Sequence, residues 1–152
     1  MTAAWAEPIA GQLAKSRREM AEVVRKVPAD AWAKPSDASG WSYHDHLSHL
    51  PASHAGVQSV MRSVIEGRAP DLSRFAVIDE ANEENRQQNI DRGVDQLLGE
   101  FTAANEETER LVRQLTEDHE QYDLGPMKLG QALNGFAMHD FGHMDEIRKT
   151  LG

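Results

Sequence analysis

The chain contains no cysteine among its 152 residues, so disulfides, cysteine-bound zinc and a cysteine nucleophile are excluded. Basic residues are also scarce: 16 Lys and Arg stand against 25 Asp and Glu, which gives a formal net charge of −9. A nucleic acid or an anionic membrane would require a basic face, so neither partner is expected. No apolar run approaches the roughly 18 residues of a membrane span, and no signal peptide is recognisable at the start. We therefore expect a cytoplasmic protein whose metal ligands, if any, are histidine, carboxylate and water.

Helical periodicity dominates the pattern of apolar residues. Four segments carry apolar side chains at spacings of three and four, and no stretch alternates at period two. The segments span residues 7–27, 42–67, 79–117 and 129–151. In the second segment, Ser42 and Asp45 have the spacing of a capping box, and Pro51 predicts a kink in the second turn. We predict an all-α protein, a four-helix bundle that forms one domain over residues 1–152.

Two of the seven histidines lie four residues apart near the end of the chain, in HDFGHM. On a helix, His139 and His143 share one face and flank the apolar stripe of the fourth segment. Asp140 lies close to the centre of that stripe, where a carboxylate requires a cation or a histidine N–H as its partner. The pair therefore either binds a metal or forms hydrogen bonds within the core. A metal would need a third ligand from another segment.

The second segment is the natural source of that ligand, because HDHLSHLPASH places four histidines within residues 44–54. If the second and fourth helices run antiparallel, these histidines lie at the same end of the bundle as the pair. An ideal helical wheel places His54 at the centre of the apolar stripe, His46 beside it and His49 well away from it. Spacing alone therefore favours His54 or His46 as the third ligand.

Two motifs resemble those of the DinB/YfiT superfamily. GWSYHDHLSHL is similar to the family segment in which a Trp-Ser pair opens the second helix and a metal-binding histidine follows eight residues after the tryptophan. Here these residues are Trp41 and His49. HDFGHMDEI resembles the family's C-terminal H-x-x-x-H, formed here by His139 and His143. The resemblance implies an up-down-down-up bundle, often a homodimer, with a metal site of these three histidines between the second and fourth helices.

The other histidines of the second segment match no ligand of the family. These are His44, His46 and His54. His44 fits a solvated residue of the first turn, whereas His46 and His54 fit either the edge of the core or a group that supports a ligand. Trp41 fits a packing anchor ahead of the helix.

Three imidazoles suit Zn²⁺, Ni²⁺ or Fe²⁺ and leave a coordination position open. The resemblance implies a metal-dependent enzyme that acts on a small molecule. It would transfer a low-molecular-weight thiol, such as mycothiol, bacillithiol or glutathione, to an electrophile, or act as a related hydrolase or maleylpyruvate isomerase-like enzyme. The alternative is a non-catalytic metal-binding module for stress response or small-molecule binding. A third possibility is a protein that sequesters or opens a reactive toxin.

Three residues are candidates for acid–base or anion-binding roles beside the metal. Asp140 could transfer a proton or only orient a ligand. Extending the core direction of the third segment back from Val94 turns Glu83 and Arg86 toward the interior. We take Glu83 as the candidate base and Arg86 as an anion clamp, on a polar half-helix that lines a pocket. A face exposed to solvent or to a second subunit is the alternative.

Overall fold

The computed structural model describes residues 1–37 and 39–152 and contains six α-helices within them. The helices are α1 (Glu7–Lys26), α2 (Tyr43–Ile65), α3 (Ser73–Ala76), α4 (Ile78–Gln88), α5 (Val94–Val112) and α6 (Leu129–Arg148). These residues form no β-strand, only two isolated bridges, so the all-α prediction is confirmed. None of the described helices is both long and apolar enough to cross a membrane.

The four long helices, α1, α2, α5 and α6, pack on one another and form the bundle. α2 and α6 run antiparallel, because His46 contacts His143 near one end and His54 contacts Asp140 further along. The histidines of α2 and the pair on α6 therefore lie at the same end of the bundle.

Two apolar clusters fill the bundle, and a layer of polar side chains separates them. One cluster joins the first halves of α1 and α6 to the second halves of α2 and α5, and the other cluster joins the remaining halves. The layer between them consists of Ser16, His54, Asn105, Thr108 and Asp140, all without exposed surface. Because buried polar groups must be hydrogen-bonded to avoid a free-energy cost, this layer fixes how the helices align along the bundle axis.

The third predicted helix is interrupted, so the prediction of one continuous helix over residues 79–117 was wrong. α4 ends at Gln88, and α5 begins after Gly93, whose backbone is extended with φ −69° and ψ 149°. The structure describes every residue of α4, and none of them is buried. α4 instead packs against the outside of α2, where Asn85 donates a hydrogen bond to the carbonyl of Ser48. A helix without an apolar stripe thus covers one flank of α2.

The start of α2 agrees with its sequence signals. Ser42 accepts a hydrogen bond from the N–H of Asp45, and the Asp45 carboxylate accepts one from the N–H of Ser42, so the capping box is confirmed. α2 continues through Pro51 to Ile65 as one helix. The histidines at positions 44–54 therefore lie on a single element whose first turn is fixed.

Candidate metal centre

Three histidine side chains converge where the first half of α2 faces the second half of α6. The Nε2 atom of His139 lies 3.3 Å from Nε2 of His49 and 3.2 Å from Nε2 of His143. One nitrogen of each ring lies within 4.8 Å of the other two. His49 is buried, and His139 and His143 are half-buried. The structure thus brings together the three residues that the family motifs select.

The nitrogen spacing of this cluster fits a divalent metal. A tetrahedral metal with metal–nitrogen bonds of about 2.0 Å separates its ligand nitrogens by about 3.3 Å, close to both measured distances. Each N–H···N bond needs one donor and one acceptor, so three ring nitrogens that point at one another cannot satisfy each other as neutral rings. A shared cation satisfies all three lone pairs at once.

Protons are poor occupants of this cluster, because burial lowers the pKa of each ring. The pKa of His49 falls to about 4, first through burial and then through the neighbouring His139. The pKa of His143 falls to about 2 for the same two reasons. Burial also lowers the pKa of His139, although the charge of Asp140 acts in the opposite direction. The rings are therefore neutral near pH 7, which is the form that binds a metal.

Aromatic side chains orient two of the three rings. The Trp41 ring lies against His49, with 5.3 Å between the ring centroids. Phe136 stacks on His139 at 5.6 Å, with 11° between the ring planes. Among the described residues, the Nδ1 atoms of His49 and His139 have no hydrogen-bond partner. Packing against Trp41 and Phe136 therefore contributes to holding these two rings in place.

The third ring, His143, is oriented by a hydrogen bond. Its Nδ1 lies 2.9 Å from Nδ1 of His46, whose Nε2 lies 2.7 Å from Oγ of Ser36. With Nε2 of His143 free to accept a cation, its Nδ1–H donates to His46, and His46 donates its own N–H to Ser36. Asp37, His46 and Glu146 form a second group of possible ligands in the described residues. However, both nitrogens of His46 already have partners, which favours its interpretation as a group that supports a ligand.

Asp140 and His54 face each other in the polar layer. Nε2 of His54 lies 3.0 and 2.9 Å from the two Asp140 oxygens, and its Nδ1 lies 2.8 Å from the hydroxyl of Thr108. Asp140 also accepts hydrogen bonds from Ser16 and Asn105. Asp140 thus has the histidine partner that its burial requires. Since buried donors engage both oxygens, the placement favours a positioning role within α6, and proton transfer by Asp140 stays a prediction.

A cavity of about 660 Å³ opens beside the converging histidines and is lined by His49 and His139. Its walls come from α2, α3, α4, α6 and the loop before α6. Most lining side chains are apolar, and Ser53, Arg74 and Asn82 are the polar additions to the two histidines. No Asp or Glu of the described chain lines this cavity. Its volume suits a small organic molecule.

Glu83 and Arg86 do not line the cavity. Glu83 is exposed, and hydrogen bonds from Arg86 and then Gln87 lower the pKa of its carboxyl to about 2. Arg86 also lies 3.9 Å from the Asp45 carboxylate in the first turn of α2. A carboxylate with so low a pKa is a weak base near pH 7. The placement favours the alternative of a solvent-exposed face, and the roles of base and anion clamp stay predictions.

Spacing alone selected the wrong histidines of α2 for this cluster. The helical wheel favoured His54 or His46, because it ranks residues only by how closely they point toward the apolar stripe that faces the bundle core. His49 lies on another flank of α2, which Trp41 covers. The distance of eight residues between Trp41 and His49 was the signal that identified it. No signal in the sequence pointed to Arg74 as a cavity residue.

Comparison with known proteins agrees with the motifs. A family model described as the DinB superfamily matches residues 12–147, which include all three converging histidines. No curated protein and no solved structure matches the chain. The family match confirms the resemblance, and together with the histidine cluster it fits a metal-binding protein.

Proposed function

The chain belongs to the DinB superfamily, and on this premise we propose that His49, His139 and His143 bind a divalent metal, Zn²⁺, Ni²⁺ or Fe²⁺. The carrying observation is the meeting of three Nε2 atoms, 3.2 and 3.3 Å apart, in a buried setting that disfavours protons. His54 and Asp140 bond to each other and so do not supply a fourth ligand. A coordination position is left for a small molecule, as in catalytic metal sites.

We further propose that the protein is a metal-dependent enzyme acting on a small molecule in the adjacent cavity. A bound divalent metal supplies Lewis acidity, which lowers the pKa of a thiol or of water. His49 and His139 face the cavity, and its apolar walls exclude water from the groups that meet there. The hydrogen bond that His143 donates to His46 holds the His143 ring in the direction that the other two rings require.

Transfer of a low-molecular-weight thiol is favoured over hydrolysis by the absence of Asp and Glu from the described cavity lining. Water starts from a pKa of about 15.7, so it depends on a large shift by the metal, to about 7, or on a general base. A thiol has a pKa of about 8.5, so it ionises with much less assistance. A cavity without a carboxylate base therefore suits a thiol as the nucleophile and a small electrophile as its acceptor.

The test uses protein loaded with Co²⁺ or Ni²⁺, whose absorption spectra report changes in their ligands. Mycothiol, bacillithiol and glutathione are added separately, and the proposal expects at least one to change the spectrum of the wild type and not of His143→Ala. The same thiol should then disappear when an epoxide or an alkyl halide is supplied. A spectrum unchanged by every thiol would contradict the transferase and favour a non-catalytic metal-binding module.

Several wider features belong to the same proposal. We propose a homodimer, by resemblance to the family, and a single functional domain over residues 1–152. A cytoplasmic location stays a prediction, as does the lack of a nucleic-acid partner, which rests on the acidic composition. Light scattering on the metal-loaded protein measures the subunit number directly.

A further inference from the structure

The cavity beside the histidines is elongated, and its two ends differ in chemistry. Along α2 it runs from His49 to Val60, eleven residues further along the chain, which spans about 16 Å of helix. Along α6 it runs from His139 back to Leu129, so both histidines lie at one end and aliphatic side chains lie at the other. A ligand that matches both ends has a polar or reactive head group beside the histidines and an apolar body beside the aliphatic side chains.

One cation lies at the wall of this cavity. Arg74, on the one-turn helix α3, lines the cavity and is exposed, and it belongs to none of the ion pairs among the described residues. It lies toward the histidine end, because it also lines a smaller pocket with Asn85, whose side chain donates to the carbonyl of Ser48, the residue before His49. A guanidinium without a carboxylate partner is a ready binding group for an anionic head, because it offers planar paired N–H donors.

The wall of α2 is built from small side chains that leave the cavity open. Ala52, Ser53 and Gly56 line it in succession. A Cβ added to Gly56 would meet no atom within 4 Å, so packing does not require glycine there. Glycine inside a helix costs about 1 kcal/mol relative to alanine. The missing side chain therefore leaves room in the middle of the cavity at some cost in stability.

We propose that the substrate of this site is an amphipathic carboxylate, with its carboxylate on Arg74 beside the histidine end and its apolar body along α2 toward Val60 and Leu129. The inference rests on the proposed function for the reacting group only, because the cavity and Arg74 do not depend on a metal. An extended chain of ten carbons is about 12 Å long, with C–C bonds of about 1.5 Å, and fits within the span from His49 to Val60.

The test measures binding of decanoate by calorimetry, to metal-free and to Zn²⁺-loaded protein. Decanol and butyrate serve as probes that lack the charge and the long body, respectively. We expect decanoate to bind at least tenfold more tightly than either. Arg74→Gln should weaken decanoate binding about tenfold or more with little effect on decanol. Arg68→Gln, at an exposed arginine that does not line the cavity, should change neither.

A second pair of variants tests the cavity itself. Gly56→Phe should abolish binding of both long probes, whereas Gly99→Phe, at an exposed helical glycine of α5, should leave binding unchanged. Circular dichroism verifies that each variant folds. If Gly56→Phe does not fold, the Arg74→Gln result alone decides whether the proposal holds. The proposal is overturned if wild type fails to bind decanoate at about 1 mM, a weak-affinity limit near −4 kcal/mol. Equal affinities of wild type and Arg74→Gln overturn it as well.

Two further outcomes separate this inference from the alternatives. If the protein binds Zn²⁺ but not decanoate, the inference is overturned and the proposed function stands. If it binds decanoate but not Zn²⁺, the inference stands and the proposed function is overturned. If a second copy of the chain covers the cavity, decanoate affinity falls as protein concentration rises and light scattering gives twice the monomer mass. That result would overturn the small-molecule assignment.

Discussion

Replacing Asp140 by alanine tests whether this carboxylate positions α6 or transfers protons. Its oxygens accept from His54 at 2.9 and 3.0 Å, from Ser16 at 3.3 Å and from Asn105 at 3.2 Å. In Asp140→Ala, Ser16 can still donate to the carbonyl of Leu13, and Asn105 to the hydroxyl of Ser16. The His54 ring N–H is left without a partner in a site that has no exposed surface.

Leaving a buried donor without its partner costs about 1–3 kcal/mol, and more when the lost partner is charged. Two of the three donors keep a partner, so the loss comes from His54 alone, and we expect the upper figure, about 3 kcal/mol of the free energy of unfolding. For a chain of this length, that loss lowers Tm by roughly 10 °C. The measurement is urea unfolding of metal-free protein followed by far-UV circular dichroism at pH 7. Glu83→Gln is the matched control, since Glu83 is exposed and its loss should leave the midpoint unchanged.

A loss below about 1 kcal/mol in Asp140→Ala would refute this reasoning, because one unsatisfied buried polar group alone costs about that much. If stability survived while turnover disappeared, Asp140 would be a catalytic residue. If Asp140→Ala and Glu83→Gln lowered the free energy of unfolding equally, the polar layer would not be what aligns α6.

Three further predictions follow from the same contacts. His46→Phe removes the hydrogen bond to His143 and should weaken Zn²⁺ binding 10–100-fold in competition with a zinc indicator, whereas His44→Phe should not. The metal-free protein should lose stability as pH falls from 6.5 to about 4, because His49 in the unfolded chain binds a proton before the folded one does. At 1.36 kcal/mol per pKa unit the loss from this ring is up to about 3 kcal/mol, and constant stability across that window would contradict the assigned burial. Gly11→Ala, on an open face of α1, should stabilise the protein by about 1 kcal/mol in urea unfolding without changing metal affinity.

Much of the fold was predictable because the long helices carry their own signals. The apolar stripes located α1, α2 and α6, and the Ser42–Asp45 capping box located the start of α2. The break between α4 and α5 was not predicted, because a polar helix and a polar turn look alike when no apolar stripe distinguishes them. Gly93 was the available signal, but a single glycine is tolerated inside many helices.

The candidate site was predictable only in part. His139 and His143 share a helix face by spacing alone, whereas His49 required the motif with Trp41. The cavity could not be predicted, because its lining comes from helices and a loop that are distant in the sequence and meet only in the folded chain. Arg74 could not be predicted either, because a single arginine in a connecting segment belongs to no repeating sequence pattern.

The central claim is that three histidines form one metal site, and elemental analysis tests it most directly. The protein is purified without chelator or a histidine tag and compared with His49→Ala, His139→Ala and His143→Ala. The account predicts close to one metal ion per chain in the wild type, with metal lost from each variant. If Zn²⁺, Ni²⁺ and Fe²⁺ all fail to bind the wild type, or if His49→Ala keeps its metal, the account is contradicted.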